Sequence, residues 1–159
     1  MLIHWGWGIF FSLKDMTDSA GVRFVVFSVG DLTCALPVAR IREILPAQTA
    51  TRIPGAPISV DGLVNVRGTL LTVVSGHELL NRAPTPDSEG AVLVVEVAGR
   101  SLGLVVDAVL DLVEVAAGAL EPRDALPGVD PRLAEAVGAS GDHVFVVLDT
   151  DTLLAPLIG

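Results

Sequence analysis

The chain contains 159 residues, 51% of them hydrophobic, and its 10 basic and 19 acidic residues give a formal net charge of −9. This composition excludes an intrinsically disordered chain. A chain of this length buries roughly 68–70% of its unfolded surface when it folds, so it can form a core without disulfides or metal. The acidic balance argues against nucleic-acid phosphates and anionic membrane surfaces as partners, because both would be repelled.

The N-terminal segment has an unusual composition. Residues 1–13 read MLIHWGWGIFFSL and hold both tryptophans of the protein. This apolar run is too short to span a bilayer, and it lacks the basic n-region and the cleavage site of a secretory signal. We predict that translation starts at Met16, so that residues 1–15 are dispensable. Residues 1–21 are predicted to form an N-terminal tail before a single domain over 22–159. The alternative is a short membrane-interface anchor; direct membrane insertion is not expected.

The N-terminal part of the domain predicts a β-hairpin. Residues 22–29, VRFVVFSV, are β-branched and aromatic, and a turn at Gly30–Asp31 leads to a return strand that stops at Pro37. Residues 39–45, ARIREIL, fit both a short helical turn and strand alternation, so both interpretations remain open. A loop rich in proline and glycine follows over 50–62.

The rest of the chain predicts further hairpins and little helix. A brief helix at most is expected at 76–82, after the strand over 69–74. A final helix is expected to be capped by Thr150 or Asp151. A long loop at 116–132 is of the kind that often carries function. The predicted strands in this part cover 63–68, 69–74, 91–99, 100–115 and, as a pair about a turn, 135–149. Nine or ten short strands with apolar runs predict a mainly β, barrel-like fold, with many strands buried on both faces.

The residue inventory excludes several kinds of reactive site. Lys14 is the single lysine, so a Walker lysine and a Schiff-base lysine inside the domain are excluded. Cys34 is the single cysteine, which excludes an intrachain disulfide, and its apolar surroundings indicate a buried, inert thiol.

Catalytic motifs are also missing. GASGD at 138–142 resembles a nucleophile elbow, but Asp142 occupies the second glycine position and the turn joins two strands. SGHE at 75–78 is interpreted as a solvated face, since adjacent residues rarely converge on one point. His77 and His143 each lack a second metal ligand at short spacing. We therefore expect a binding module that is not an enzyme and has no metal or cofactor.

Four segments in order give the chain a family resemblance. They read FVVFSVGDLTCALPVARIREIL, ATRIPGAPISVDGLVNVRG, LGLVVDAVLDLVEV and AVGASGDHVFVVLDTDTLL. With this order and spacing, the region from Val22 to Leu154 resembles the CheW-like domain of bacterial chemotaxis adaptors. The resemblance implies two small five-stranded, SH3-like β-barrel lobes that share a core, with short helices and no catalytic site.

The resemblance also implies a function and partners. A CheW-like adaptor couples the cytoplasmic tip of a methyl-accepting chemoreceptor to a CheA-type histidine kinase, whose regulatory domain has the same fold. We therefore expect a cytoplasmic scaffold associated with receptor arrays that works by binding alone. The alternatives are a CheW-like regulator of a pathway other than motility and a small-ligand sensor that uses the groove between the lobes.

Two charged residues stand out in the matched motifs. Arg67, in NVRG, falls on the arginine of the family's Asn-hydrophobic-Arg-Gly motif, and Glu43, in IREIL, falls on its glutamate. The expected arrangement is an ion pair beside the groove between the lobes, which would orient a docking surface more than stabilise the fold. The alternative is that Arg67 is an exposed strand residue whose aliphatic stem covers apolar surface.

These considerations define the predicted sites. The receptor-binding groove is predicted to contain Ile41, Glu43, Gly62, Val64, Asn65 and Arg67. The kinase regulatory domain is predicted to dock barrel to barrel near Val105 and Val106. The chain departs from the family at positions 75–77, where Ser-Gly-His replaces the usual Asp-Leu-Arg, which puts the contacts of that aspartate and arginine in doubt.

Overall fold

The computed structural model describes residues 2–4, 10–12, 21–122 and 130–157 and shows a mainly β protein. The α-helices are short, α1 over Gly76–Leu80 and α2 over Thr150–Leu154, and 3-10 turns cover Val38–Arg40, Ala117–Ala119 and Ala155–Leu157. The described strands are β1 Leu2–His4, β2 Phe10–Ser12, β3 Val22–Val29, β4 Leu32–Pro37, β5 Ile41–Pro46, β6 Val60–Val66, β7 Thr69–Ser75, β8 Ala91–Val97, β9 Arg100–Val106, β10 Ala108–Val115, β11 Glu121–Pro122, β12 Ala134–Ser140 and β13 His143–Leu148.

The strands form two sheets, which we call lobe 1 and lobe 2. Lobe 1 has the strand order β10-β3-β4-β13-β12-β11, and lobe 2 has the order β2-β1-β5-β8-β9-β7-β6. Apart from β1 and β2, lobe 2 is built from the middle of the chain and is inserted between β4 and β10 of lobe 1. The segment from Thr51 closes lobe 2 onto β6 through paired backbone hydrogen bonds with Leu63, each 2.8 Å long.

The N-terminal strands belong to lobe 2. β1 runs antiparallel to β2 and parallel to β5, with Ile3 opposite Ile44. That residues 1–15 are dispensable for the stability of the domain stays a prediction.

Both lobes share one large core. Strand side chains alternate between the two faces of a sheet, and in β3 one face, with Phe24 and Val26, lines the interior of lobe 1. The other face, with Val25 and Phe27, packs into an apolar cluster that also contains residues of lobe 2 such as Leu93. A third cluster fills lobe 2 alone. The prediction of strands buried on both faces is therefore confirmed for β3, as is the two-lobed, mainly β fold.

The ambiguous segment at 39–45 contains both expected structures. The 3-10 turn ends at Arg40, and β5 then begins at Ile41. Opposite β8, the register shifts between Ile41 and Glu43, so Arg42 is the extra residue of a β-bulge. Because of this extra residue, Ile41 and Ile44 both face the shared core although three positions separate them.

Two local predictions are wrong. The apolar run 100–115 was expected to be one strand, but it breaks at Asp107 into β9 of lobe 2 and β10 of lobe 1. The break occurs because the Asp107 carboxylate is held by hydrogen bonds at the crossing between the lobes. The final helix is capped by Asp149, whose carboxylate accepts a hydrogen bond from the Thr152 amide at 3.1 Å, rather than by Thr150 or Asp151.

The longest α-helices in the described part of the chain have five residues. None of the described helices has the length and apolar character needed to cross a membrane.

Candidate docking site at the rim of lobe 2

The NVRG motif forms the tip of the β6–β7 hairpin. Arg67 has a φ of 50° and Gly68 a φ of 84°, and positive φ at both central residues is the mark of a type I′ turn. The Asn65 side chain accepts a hydrogen bond from the Gly68 amide at 2.8 Å and so stabilises the turn. Glycine and asparagine are the residues that suit the first central position, and an arginine there adopts an uncommon, sterically disfavoured conformation.

This conformation places the Arg67 guanidinium against Glu43 on β5. Its two terminal nitrogens donate to the two carboxylate oxygens at 2.8 and 2.5 Å, which is a bidentate pair. The hydrogen bond and the negative charge of Glu43 raise the pKa of Arg67. The predicted Arg67–Glu43 pair is thus confirmed, and Arg67 is not simply an exposed strand residue covering apolar surface. Its side chain is 69% exposed, so solvent screens the pair.

The ion pair stands at the mouth of a cavity of about 460 Å³. The cavity is lined by residues of β5 to β9 and of the β6–β7 turn, and its apolar floor includes Val66, Leu71 and Val94. All of these elements belong to lobe 2. The pair therefore lies on the rim of one barrel, whereas the sequence led us to expect it beside a groove between the lobes.

The other residues of the predicted receptor groove have different environments. Ile41 is fully buried in the shared core, and Val64 is buried inside lobe 2. Gly62 has a φ of 144°, and a Cβ there would lie 2.1 Å from the Thr51 carbonyl oxygen, so only glycine allows this closure of the barrel. These three residues position the strands. Asn65 is exposed and reaches the surface itself.

The predicted kinase-contact residues lie on β9. Val106 is buried in the shared core, and Val105 is partly buried against the interior of lobe 2. Ser101, at the other end of β9, lines the cavity. At about 3.3 Å per residue, Val105 lies roughly 13 Å along the strand from Ser101. The cavity and the predicted kinase-contact residues are therefore close to opposite ends of β9.

Two surface residues near the hairpin were missed by sequence reasoning. Leu70 is 66% exposed and pairs across the hairpin with Asn65. Strict alternation in TLLTVV would have identified Leu70 as outward-facing, because Leu71 and Val73 face the lobe 2 interior. Arg42 lines the cavity beside Glu43 because of the bulge, which the sequence does not signal.

A second polar cluster holds the two lobes together around Asp107. Its buried carboxylate accepts hydrogen bonds from the Gly30 amide at 2.6 Å, the Thr85 hydroxyl at 2.9 Å and the Ser88 hydroxyl at 3.1 Å. His77 Nε2 lies 3.0 Å from the same carboxylate. Burial raises the pKa of Asp107, but hydrogen bonds from His77, Gly30 and Thr85 outweigh burial and hold that pKa below its usual value.

The interpretation of SGHE as a solvated face is wrong. The His77 side chain is only 16% exposed and contacts Asp107, and Ser75 is buried. The Ser75 hydroxyl accepts a hydrogen bond from the Glu78 amide at 3.3 Å and caps α1. These residues therefore have structural roles that follow from their position at the start of a helix.

Cys34 is fully buried in the shared core, as its sequence environment predicts. Burial disfavours the charged thiolate and raises the pKa of the thiol to about 12. Because the thiolate is the nucleophilic form, this cysteine is chemically inert.

Comparison with known proteins agrees with this architecture. A family model for the CheW-like domain matches residues 23–156. Chemotaxis protein CheW of Rhizobium meliloti (strain 1021) is 30% identical over 142 residues, covering 88% of this chain and 91% of that protein. Chemotaxis protein CheW of Klebsiella aerogenes is 24% identical over 143 residues, covering 87% of this chain and 84% of that protein.

A solved structure shows the same fold. The crystal structure of the scaffolding protein TtCheW from Thermoanaerobacter tengcongensis superimposes with a TM-score of 0.77 at 23% identity, covering 84% of this chain and 92% of that one. With a family model that matches most of its length, the chain belongs to the CheW-like domain family.

Proposed function

We propose that this protein is a non-catalytic adaptor that couples chemoreceptor tips to a CheA-type histidine kinase in chemosensory signal transduction. Membership of the CheW-like family and similarity to chemotaxis proteins over most of their length support this role. It acts by binding and needs no cofactor. We place it in the cytoplasm, associated with membrane receptor arrays.

The receptor tip docks on the rim of lobe 2, around the β6–β7 hairpin. The observation that carries this proposal is the conformation of Arg67, which occupies a turn position better suited to glycine or asparagine. Backbone strain of this kind persists where the surrounding structure and a function require it. Here it holds a guanidinium and a carboxylate in fixed positions on the surface, where Asn65 and Leu70 flank them.

The kinase regulatory domain docks near the other end of β9. Val105 is the partly exposed residue of the predicted pair, and buried Val106 contributes by positioning the strand. Separation along β9 allows one copy of the adaptor to hold both partners at once, as a coupling protein must.

Calorimetric titration tests both parts of the proposal. The full chain is titrated with a soluble cytoplasmic fragment of a chemoreceptor from the source organism and, separately, with the regulatory domain of its CheA-type kinase. We expect saturable binding of each partner, and binding of the second partner to the complex with the first. Failure to bind either partner contradicts the adaptor function. Mutual exclusion contradicts the separate positions of the two sites.

A further inference from the structure

The cavity at the rim of lobe 2 has a second arginine with a different environment from Arg67. The bulge in β5 aims both Arg42 and Glu43 at the cavity, on the same side of the strand. Both oxygens of Glu43 are already engaged by Arg67. Arg42 instead makes longer contacts, 3.3 Å to the Ser101 hydroxyl and 3.4 Å to the Glu96 carboxylate.

These contacts leave the Arg42 guanidinium accessible to a partner. Its side chain is 56% exposed, and that of Glu96 is 48% exposed. Exposed ion pairs are weak, whereas a bidentate, charge-assisted pair is stronger than one long contact, and some close charge pairs across an interface add net affinity. A partner carboxylate would therefore compete well with Glu96 for Arg42.

The shape and polarity of the cavity indicate what lies next to that carboxylate. A volume of about 460 Å³ is within the range of ligand-binding pockets. Its floor is formed by Val66, Leu71 and Val94, which offer only apolar side chains. An aliphatic side chain is the group that such a floor accommodates without leaving a polar atom unsatisfied.

The charges around the cavity balance. Two arginines and one glutamate line it, and the Glu96 carboxylate lies 3.4 Å from Arg42, whereas the whole chain has a formal net charge of −9. The site is therefore less acidic than the protein as a whole. A basic partner group would be repelled by the two guanidinium groups, whereas a partner carboxylate that replaces Glu96 keeps Arg42 paired, which favours an acidic partner segment over a basic one.

We propose that the cavity receives an aliphatic side chain from a helix of the partner, and that Arg42 pairs with a carboxylate one helical turn away on the same helix. Residues three or four positions apart lie on one face of a helix, about 5–6 Å from each other, which matches one cavity and its rim. This inference rests on the proposed function, since the helix belongs to the chemoreceptor tip. Arg42 is then a specificity-determining residue.

The test uses full-length variants titrated with the soluble chemoreceptor fragment. We expect Arg42→Glu to weaken binding at least tenfold and Arg42→Ala to weaken it by a smaller factor, with kinase binding unchanged. The matched control is Arg132→Glu, because Arg132 is also an exposed arginine paired with a carboxylate, Asp130, but lies outside the rim of lobe 2. Binding by Arg42→Glu within twofold of the wild type would overturn the inference.

A second variant tests the cavity itself. Thr69 is exposed and lines the cavity mouth, so Thr69→Phe blocks the cavity from a surface position without enlarging a buried side chain. We expect an unchanged melting temperature and at least tenfold weaker receptor binding. Unchanged binding would show that no side chain enters the cavity and would overturn the proposal.

The results separate this inference from the proposed function. If the wild-type chain does not bind the receptor fragment, both are wrong. If the wild type binds and the Arg42 and Thr69 variants bind equally well, the adaptor function stands and only the inference fails. The pairing can also be tested by charge reversal, in which carboxylates of the receptor tip are replaced one at a time by lysine. If one such fragment restores binding to Arg42→Glu, the pairing is supported directly. If none of these replacements restores binding, the pairing is contradicted.

Discussion

His77 on α1 and Asp107 at the crossing between the lobes are 3.0 Å apart, and their contact ties lobe 2 to the chain segment that enters lobe 1. Gly30, in the β3–β4 turn of lobe 1, donates to the same carboxylate. One side chain thus holds elements of both lobes, together with the loop that carries Thr85 and Ser88.

Replacement of Asp107 by asparagine should destabilise the whole protein. The asparagine side chain keeps one acceptor oxygen, but an NH₂ group takes the place of the other. That NH₂ group faces donors that the carboxylate satisfied, such as the Gly30 amide or the Ser88 hydroxyl, so a buried donor loses its acceptor. The expected loss is about 2 kcal/mol or more, equivalent to about 4–8 °C in melting temperature for a chain of this size. Differential scanning calorimetry measures it. Asp31→Asn is the control, because Asp31 is largely exposed, and a similar loss there would contradict a special role for Asp107.

The same carboxylate predicts a pH dependence of stability. Because the folded-state pKa of Asp107 lies below its usual value of about 3.9, the ionised form contributes stability above that value. This contribution is lost as the pH falls from about 4 through the lower folded-state pKa. Urea unfolding between pH 3 and pH 7 should show a wild-type advantage over Asp107→Asn that is constant near neutrality and shrinks in acid. A difference that does not depend on pH would contradict this account.

Arg67 should serve binding at the expense of stability. Arg67→Asn places a residue that suits a left-handed turn position, so the melting temperature should stay the same or rise. Binding of the receptor fragment should weaken at least tenfold in both Arg67→Asn and Arg67→Ala, while kinase binding changes little. A melting temperature several degrees lower in Arg67→Asn would instead mean that the ion pair stabilises the fold.

Glu43 and Arg67 should act as one unit in receptor binding. Glu43→Ala removes the carboxylate that orients Arg67, so we expect a loss similar to that of Arg67→Ala. The double variant should lose less than the sum of the two single losses, as for residues in direct contact. Titration of the four proteins with the receptor fragment completes the cycle. Additive losses would show that the pair has no energetic coupling at the interface.

The N-terminal segment can be tested by a chain that starts at Met16. If residues 1–15 are dispensable, its melting temperature should remain within about 1–2 °C of the full chain, a change well under 1 kcal/mol. The structure pairs β1 with β5 near Ile44, so a larger decrease would show that this pairing stabilises lobe 2.

The sequence predicted regular features well and failed where side chains determine the backbone. The hairpin at Gly68 and the double burial of β3 follow from turn residues and apolar patterning. The break at Asp107 was missed because an aspartate within an apolar run predicts nothing about donors that arrive from distant parts of the chain. Arg42 was missed because one extra residue in β5 changes which side chains share a face.

The insertion of lobe 2 into lobe 1 has a consequence for folding. β3 cannot complete its strand pairing until β10 has been synthesised. Val25 of β3 pairs with Leu112 of β10, and the whole of β5 to β9 lies between these two residues in the chain. Such pairings give a high contact order, and proteins dominated by them fold slowly. During synthesis the β3–β4 hairpin leaves the ribosome long before β10 and β13, with which it pairs, so the apolar residues on both its faces are still uncovered. The last strands to be made therefore close the structure, and a truncated product would leave an unpaired strand edge available for aggregation.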